Sequence, residues 1–192
     1  AAAFTVDSAT QITAVVPAGA IDGAVVVTTG TGSATSAAFT VADPEVTSVN
    51  PAAAAVGATV AISGTHLSDV RSVTFASGKA AAFTIGSDST ITATVPPGVI
   101  SGNITVTAPS GSDTVTFTAL PAPPTIASFS PTSKQVGPLS AGSYVTVTGT
   151  GFFDPDGVSA VSDVRIGGVS VGTQGADYTV TATSITITTI PA

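Results

Sequence analysis

The chain repeats itself at an interval of about 80 residues, and this repeat limits the folds available to it more than any other feature. Residues 44–51 (PEVTSVNP) return at residues 124–131 (PTIASFSP), and residues 2–6 (AAFTV) return at residues 81–85 (AAFTI). Self-similarity at a fixed interval is typical of arrays in which each repeat is one supersecondary unit. We therefore expect tandem copies of one small unit.

The two ends of the chain are out of phase with this repeat. Residues 2–6 match the middle of the second unit, and residues 184–191 match residues 90–96, again in mid-repeat. The phase predicts three pieces. They are the C-terminal part of a unit at residues 1–42, a complete unit at residues 44–120, and the N-terminal part of a unit with longer loops at residues 123–192.

We expect the chain to be a window on a longer array. The alternative is strand exchange, in which residues 1–42 of one copy complete the third unit of the next copy. Residues 2–17 and 176–191 encode the same two strands, so exchange would leave one pair of strands outside the sheet. An intact mass near 18.3 kDa would favour exchange, and a much heavier chain would favour the array.

Composition excludes some classes of partner. The chain is 43% hydrophobic and 8% charged, with a net charge of −7. Its four basic residues, Arg71, Lys79, Lys134 and Arg165, are scattered rather than clustered. Nucleic acids and anionic membrane surfaces both require a concentrated basic patch. There is also no run of 18 apolar residues, so we expect neither a nucleic-acid partner nor membrane insertion.

The residue types that are missing indicate an exposed setting. The sequence contains no Cys, Met or Trp, so the fold has no disulfide and few side chains that oxidise readily. Few Lys and Arg also means few sites for trypsin-like proteases. These features favour an extracellular or cell-surface protein.

Strand signals in the complete unit are short and evenly spaced. Apolar and polar residues alternate with period 2, and Gly, Pro, Ser and Asp separate the strands. We predict strands at residues 45–49, 59–63, 70–75, 80–85, 90–95, 103–108 and 113–118. No segment keeps the 3.6-residue period of a helix. Seven half-buried strands in a unit of this size require two sheets packed face to face.

The alternation also predicts the core. One face of each strand carries Val, Ile or Phe, and the other carries mostly Thr, which keeps β-propensity without an adhesive surface. The side chains predicted to be buried are Ile62, Val73, Phe83, Ile91, Val95, Ile104 and Phe117. The linkers at residues 42–44 and 120–124 (LPAPP) are short, and the second favours extended backbone. We therefore expect an elongated array.

The sequence resembles IPT/TIG domains at two places. Asn50-Pro51 is followed by residues 57–67 (GATVAISGTHL), and Ser130-Pro131 is followed by residues 144–152 (YVTVTGTGF). Residues 87–96 (SDSTITATVP) are also similar to that family. Glycine at positions 149 and 151 permits a tight turn or a positive φ, and Pro131 closes the first strand of its unit.

The resemblance implies tandem immunoglobulin-like β-sandwiches and no single function. Members of the family occur in bacterial surface and secreted proteins, phage virions, polysaccharide-degrading enzymes, animal receptors and DNA-binding transcription factors. The DNA-binding members need a basic loop that this chain lacks, and receptor ectodomains usually carry Cys. Bacterial surface proteins and phage virions remain.

One cluster of carboxylates stands out, at Asp154, Asp156 and Asp163. Three carboxylates on one loop are candidates for Ca²⁺, which takes six to eight oxygen ligands. The spacing is not that of an EF-hand, and Asp-Pro-Asp-Gly is also a common turn, so we expect a turn and no ion. His66 stands alone, and its counterpart Gly151 indicates an undemanding loop position. We expect no catalytic site, no bound metal and no cofactor.

Two other motifs have ordinary alternatives. Asn103 opens an N-glycosylation sequon, but it lies in a predicted strand of a Thr-rich chain. Tyr144, Tyr178, Phe152 and Phe153 are candidates for a carbohydrate platform, although such platforms usually use Trp. Phe152 matches Leu67 of the second unit, which predicts a core role. Phe153 has no counterpart and is the better candidate for a contact surface.

These observations favour a structural or adhesive segment of a long extracellular or cell-surface protein, such as a stalk, fibre or adhesin shaft. One alternative is a phage fibre or decoration protein. Another is a non-catalytic module of a secreted polysaccharide-processing enzyme. The expected partners are neighbouring repeats or copies of the same protein, together with a surface receptor or a glycan.

Overall fold

The computed structural model describes residues 2–132, 137–138 and 144–190, and its regular structure is nearly all β. A single 3₁₀ turn, Ala76–Gly78, is the helical element of the described residues. No helix in this part of the chain combines the length and apolarity needed to cross a membrane. The predicted fold class, tandem immunoglobulin-like sandwiches, is confirmed.

The first segment consists of two antiparallel hairpins. One pairs β1 (Phe4–Ser8) with β2 (Gln11–Ala14), and the other pairs β3 (Gly23–Thr29) with β4 (Gly32–Phe39). Each hairpin is a two-stranded sheet, and the side chains on these strands are exposed.

The second unit contains a complete sandwich. Its strands are β5 (Glu45–Asn50), β6 (Ala53–Ala54), β7 (Thr59–Thr65), β8 (Ser72–Phe75), β9 (Lys79–Ala80), β10 (Phe83–Ser87), β11 (Thr90–Thr94), β12 (Gly102–Thr107) and β13 (Ser112–Ala119). One sheet has the order β10-β11-β7-β5, and the other has the order β6-β13-β12-β8-β9. The core lies between them, because alternate side chains of both sheets point inward.

Six of the seven side chains predicted for the core are buried, and Phe83 packs against it partly exposed. The single strand predicted at residues 80–85 is wrong. The chain crosses from one sheet to the other at Ala81 and Ala82: β9 pairs with β8, whereas β10 pairs with β11. The alternating pattern could not show this crossing, because both halves keep the period of a strand.

The first strand of the unit also changes sheets, a feature that the sequence analysis missed. β5 pairs antiparallel with β7, and after Pro51 the chain enters β6, which pairs parallel with β13. Thr118 N donates to Ala52 O at 2.9 Å, and Leu120 N donates to Ala54 O at 3.0 Å. Because β6 has only two residues, it carries too little sequence pattern to predict.

The third segment contains one four-stranded sheet and short peripheral strands. The strands are β14 (Thr125–Ser130), β15 (Gly137–Pro138), β16 (Val145–Thr150), β17 (Arg165–Ile166), β18 (Val169–Ser170), β19 (Tyr178–Val180), β20 (Ser184–Ile187) and β21 (Thr189–Ile190). The sheet order is β14-β16-β20-β19, and β15-β21 and β17-β18 are two-stranded pairs. A small core packs on this sheet, formed by Val145, Phe152, Val171, Tyr178, Ile185 and Ile187.

The sequence repeat reappears as a repeat of strand register. In β1–β2, Phe4 pairs with Ala14 and a bulge falls between Val6 and Ser8. The β10–β11 pair keeps the same register 79 positions later, with its bulge between Ile85 and Ser87. β5–β7 and β14–β16 likewise share a bulge, at Val46/Ser48 and at Ile126/Ser128. Equivalent sequence therefore builds equivalent strand pairs along the chain.

Candidate functional site

The loop at residues 151–164 leaves the sheet of the third segment and turns toward the second unit. Phe152 is buried in the core of the third segment, which confirms its predicted core role. Phe153 packs against the same core and lines a cleft of about 290 Å³ together with Asp154 and Pro155. The opposite wall belongs to the second unit and contains Val56, Gly98, Val99 and Leu120. Phe153 therefore lies at the junction between two units.

Asp154 closes the turn in which it lies. Its Oδ1 atom accepts the backbone N–H of Asp156 at 3.1 Å and that of Val158 at 2.7 Å. Gly157 has φ +85°, the left-handed conformation that glycine adopts without a steric penalty. These bonds give the Asp-Pro-Asp-Gly sequence the geometry of a turn.

Asp156 points away from this turn and contacts the second unit. Its Oδ1 atom accepts the backbone N–H of Ser101 at 2.8 Å. Hydrogen bonds from the Ser101 hydroxyl and backbone N–H hold the pKa of Asp156 below its usual value. The Ser101 hydroxyl also accepts the N–H of Ala119 at 3.0 Å, which fixes the serine against β13.

Asp163 is part of a third, separate arrangement. It pairs with Arg165, with Nε and Oδ2 2.5 Å apart, and accepts the hydroxyl of Ser170 at 2.7 Å. The Arg165 guanidinium, followed by Ser170, lowers the pKa of Asp163. The three aspartates thus face three different sets of partners. Across the residues that the structure describes, no group of three acidic or His side chains is placed to hold a metal ion.

A second contact between units was not predicted from the sequence. Gly19, on the loop after β2, donates its N–H to Oδ2 of Asp69, on the loop after β7. The other carboxylate oxygen of Asp69 lies 2.7 Å from Nη2 of Arg71. The sequence carried a signal for this contact. Asp69 lies two residues after Leu67, and Asp154 and Asp156 lie two and four residues after Phe152, the counterpart of Leu67.

His66 occupies a demanding position, contrary to our reading of its counterpart Gly151. His66 has φ +57° and Gly151 has φ +75°, so both residues adopt the left-handed conformation. Asp88 supports this turn by accepting the hydroxyl of Ser68 at 2.8 Å and the backbone N–H of His66 at 3.3 Å. The Ser68 hydroxyl is the main cause of the lowered pKa of Asp88.

The third segment leaves an apolar groove of about 870 Å³ on one face of its sheet. The side chains that line the groove include Ile126, Phe129, Val147 and Ile185. Phe129 is 52% exposed, whereas its counterpart Val49 in the second unit is 7% exposed. In the second unit the sheet that contains β12 and β13 covers this face, and the described part of the third segment has no equivalent of those strands.

The candidate aromatic platform does not form. Tyr178 is buried in the core of the third segment, as is Phe152, whereas Tyr144 is exposed. Asn103 of the sequon is exposed on β12.

Comparison with known proteins gives one family and several solved structures. The family model for the IPT/TIG domain matches residues 44–119 and 124–192. A search of the curated proteins returned no match.

The solved structures are more distant. The chain is 20% identical to the surface glycan-binding protein PbSGBP-B from Prevotella bryantii, with a TM-score of 0.47 over 79% of this chain and 37% of that one. It is 24% identical to SGBP-B from a complex xyloglucan utilization locus in Bacteroides uniformis, with a TM-score of 0.35 over 78% of this chain and 43% of that one. It is 17% identical to SGBP-B from the mixed-linkage glucan utilization locus of Bacteroides ovatus, with a TM-score of 0.32 over 84% of this chain and 40% of that one. The chain therefore spans less than half the length of each of these structures.

Proposed function

The chain belongs to the IPT/TIG domain family, and from this premise we propose that it is a load-bearing, non-catalytic repeat segment of an extracellular or cell-surface protein. Its role would be to carry tension and to set distance, as in a stalk, fibre or adhesin shaft. The domain organisation proposed with it is a partial unit at residues 1–42, a complete unit at 44–120 and a partial unit at 123–192.

The parallel pairing of β6 with β13 is the observation that carries this proposal. β6 lies near the start of the second unit and β13 at its end, so tension on the chain pulls the two strands in opposite directions along their axes. The bonds Thr118 N to Ala52 O and Leu120 N to Ala54 O are then loaded in shear and must break together. Hairpins opened from one end instead lose their bonds one at a time.

Composition supports a location outside the cell. The chain has no Cys, Met or Trp and only four Lys and Arg, which limits oxidation and trypsin-like cleavage. Threonine on the outer faces of the strands keeps the surface polar without charge.

Neighbouring repeats, or copies of the same protein, are the partners that this role requires. A glycan or surface receptor would be held by other parts of the parent protein or by the exposed loops. A phage fibre or decoration protein would use the same mechanics, and a module of a polysaccharide-processing enzyme would instead be a passive spacer.

Single-molecule force spectroscopy on the full chain tests the proposal. We expect the second unit to unfold in one discrete step at high force. Thr118→Pro removes the N–H that donates to Ala52 and should lower that force. Thr116→Pro is the matched control. The backbone N–H groups of residues 116 and 118 point to the same edge of β13, but β6 pairs only with Thr118 and Ala119.

The outcomes separate a mechanical role from a binding role. Equal unfolding forces for the parent chain and Thr118→Pro would contradict the proposed clamp. A soluble polysaccharide that raises the melting temperature of the chain would replace the load-bearing role with that of a glycan-binding module.

A further inference from the structure

Two hydrogen bonds join consecutive units in the part of the chain that the structure describes, and equivalent pairs of loops make both of them. At the first junction, the N–H of Gly19 donates to Asp69. At the second junction, the N–H of Ser101 donates to Asp156 at 2.8 Å. In each case the earlier unit supplies a backbone donor and the later unit supplies a carboxylate.

The donor loops are equivalent by the repeat. The β1–β2 and β10–β11 pairs share one register and one bulge, so residues 16–22 after β2 correspond to residues 95–101 after β11. Gly19 and Gly98 occupy the same place in these loops, both with positive φ, at +83° and +73°. The first donor is Gly19 itself, whereas the second donor, Ser101, lies three residues after Gly98 in the equivalent loop.

The acceptor loops are equivalent as well. β7 and β16 each pair with the first strand of their unit across the same bulge. The loops that follow them are residues 66–71 and residues 151–164. Leu67 and Phe152 enter the core at matching positions, and the carboxylate that reaches the preceding unit comes two residues after Leu67 and four residues after Phe152.

We propose that these contacts are one repeated joint that fixes the angle between successive units. A single hydrogen bond acts as a pivot, so each joint needs further contacts to resist rotation. At the first joint, Arg71 holds Asp69 through an ion pair of 2.7 Å. The Nη2 atom of Arg71 lies 3.4 Å from the point where a Cβ atom on Gly19 would be. At the second joint, Phe153 and Pro155 face Val99 and Leu120 across the cleft.

This inference goes beyond the proposed load-bearing role, because it concerns the geometry between units rather than the strength of one unit. The clamp of β6 and β13 lies within the second unit, and the joints lie between units. Failure of one is therefore distinguishable from failure of the other: the clamp sets an unfolding force, and the joints set an inter-unit distance distribution.

Distance measurement between spin labels tests the joints directly in the full chain. The sequence contains no cysteine, so labels attach only where cysteine is introduced. Gln11→Cys with Thr116→Cys reports on the first joint, and Thr116→Cys with Thr179→Cys reports on the second. All three side chains are exposed on strands. We expect one narrow distance distribution for each pair.

Each joint is the control for the other. Asp69→Ala should remove the narrow distribution of the first pair and leave the second unchanged, and Asp156→Ala should do the reverse. Asp156→Asn retains an acceptor oxygen and should keep the second distribution narrower than alanine does. Unchanged distributions in both alanine variants, or broadening at both joints from either one, would overturn the proposal. So would fast hydrogen exchange of the Gly19 and Ser101 amides in the parent chain, a measurement that needs no variant.

Discussion

The carbonyl oxygen of Thr125 occupies the place where a Cβ atom on Gly149 would lie, and the carbonyl oxygen of Glu45 occupies the same place beside Gly64. The bulge in the first strand of each unit brings this carbonyl against the second strand. Gly149 is thus required by close approach of the backbone. The same holds for Gly151, which has a positive φ of +75° and on which a Cβ atom would lie 2.9 Å from the carbonyl oxygens of Ala122 and Pro123.

This relationship predicts the effect of alanine at Gly64. Because the obstructing atom belongs to the backbone, Gly64→Ala must displace β5 from β7, and we expect a loss of at least about 2 kcal/mol in the stability of the second unit. Hydrogen exchange of the buried amides in β7 measures it. Gly86→Ala is the control, because its Cβ would lie 3.5 Å from the carbonyl oxygen of Thr90, an ordinary contact. Equal stability of the two variants would contradict the close approach.

The aromatic pair in the second unit gives a prediction for the core. Phe75 and Phe117 pack edge to face, with ring centroids 5.1 Å apart and ring planes at 90°. Phe117 is 4% exposed, whereas Phe39 in the first segment, which pairs with Gly23 as Phe117 pairs with Gly102, is 44% exposed.

We therefore expect Phe117→Ala to destabilise the second unit by about 3–5 kcal/mol and Phe39→Ala to leave it unchanged. Differential scanning calorimetry of the full chain measures both. Thr116→Ala, an exposed change on the same strand, should alter stability by less than about 0.5 kcal/mol. A loss from Phe117→Ala no larger than that of Thr116→Ala would show that the edge-to-face pair does not stabilise the core.

Asp113 predicts a dependence of stability on pH. Its Oδ2 atom accepts the N–H of Val46 at 2.7 Å, which ties β13 to β5. This bond, followed by one from the N–H of Thr114, lowers the pKa of Asp113. Because the folded-state pKa lies below the unfolded value, the stabilisation is complete above the ordinary pKa of about 3.9 and is lost as the pH falls through the folded-state value.

Asp113→Asn should therefore cost about 1 kcal/mol near neutral pH, and its difference from the parent chain should shrink as the pH falls below about 4. Denaturant titrations at several pH values measure the difference, with Ser112→Ala as the control. A difference that stays constant at acid pH would show that the carboxylate charge has no role.

The left-handed conformation of His66 predicts opposite effects for two substitutions. His66→Gly should be neutral or stabilising, because glycine adopts φ +57° without steric cost. His66→Val should destabilise the second unit by about 1–3 kcal/mol, since a β-branched side chain is strained at positive φ. Melting temperatures of the two variants decide the matter. A valine variant as stable as the glycine variant would contradict the strain.

Much of the second unit follows from local pattern. Strands such as β7, β11 and β12 were predicted to within two residues, because alternating Val, Ile and Thr between Gly- and Pro-rich turns specifies both the strand and its buried face. The candidate carboxylates were identified from their spacing in the loop at residues 151–164. Their separate partners, Val158, Ser101 and Arg165, were not, because spacing along a loop does not fix where each side chain points.

The sequence by itself determined that this chain is a tandem array of β-sandwiches. The repeat and the period-2 alternation can be read along the sequence without knowing which segments contact each other in space. Only the tertiary structure decided how the strands are divided between sheets, as at Ala81 and in the short pairing of β6 with β13. It also decided that Asp69 and Asp156 reach across to the preceding unit. These features depend on which segments contact each other in space. Each such contact joins residues far apart in the chain, so its free energy cannot be assigned to any local stretch of sequence.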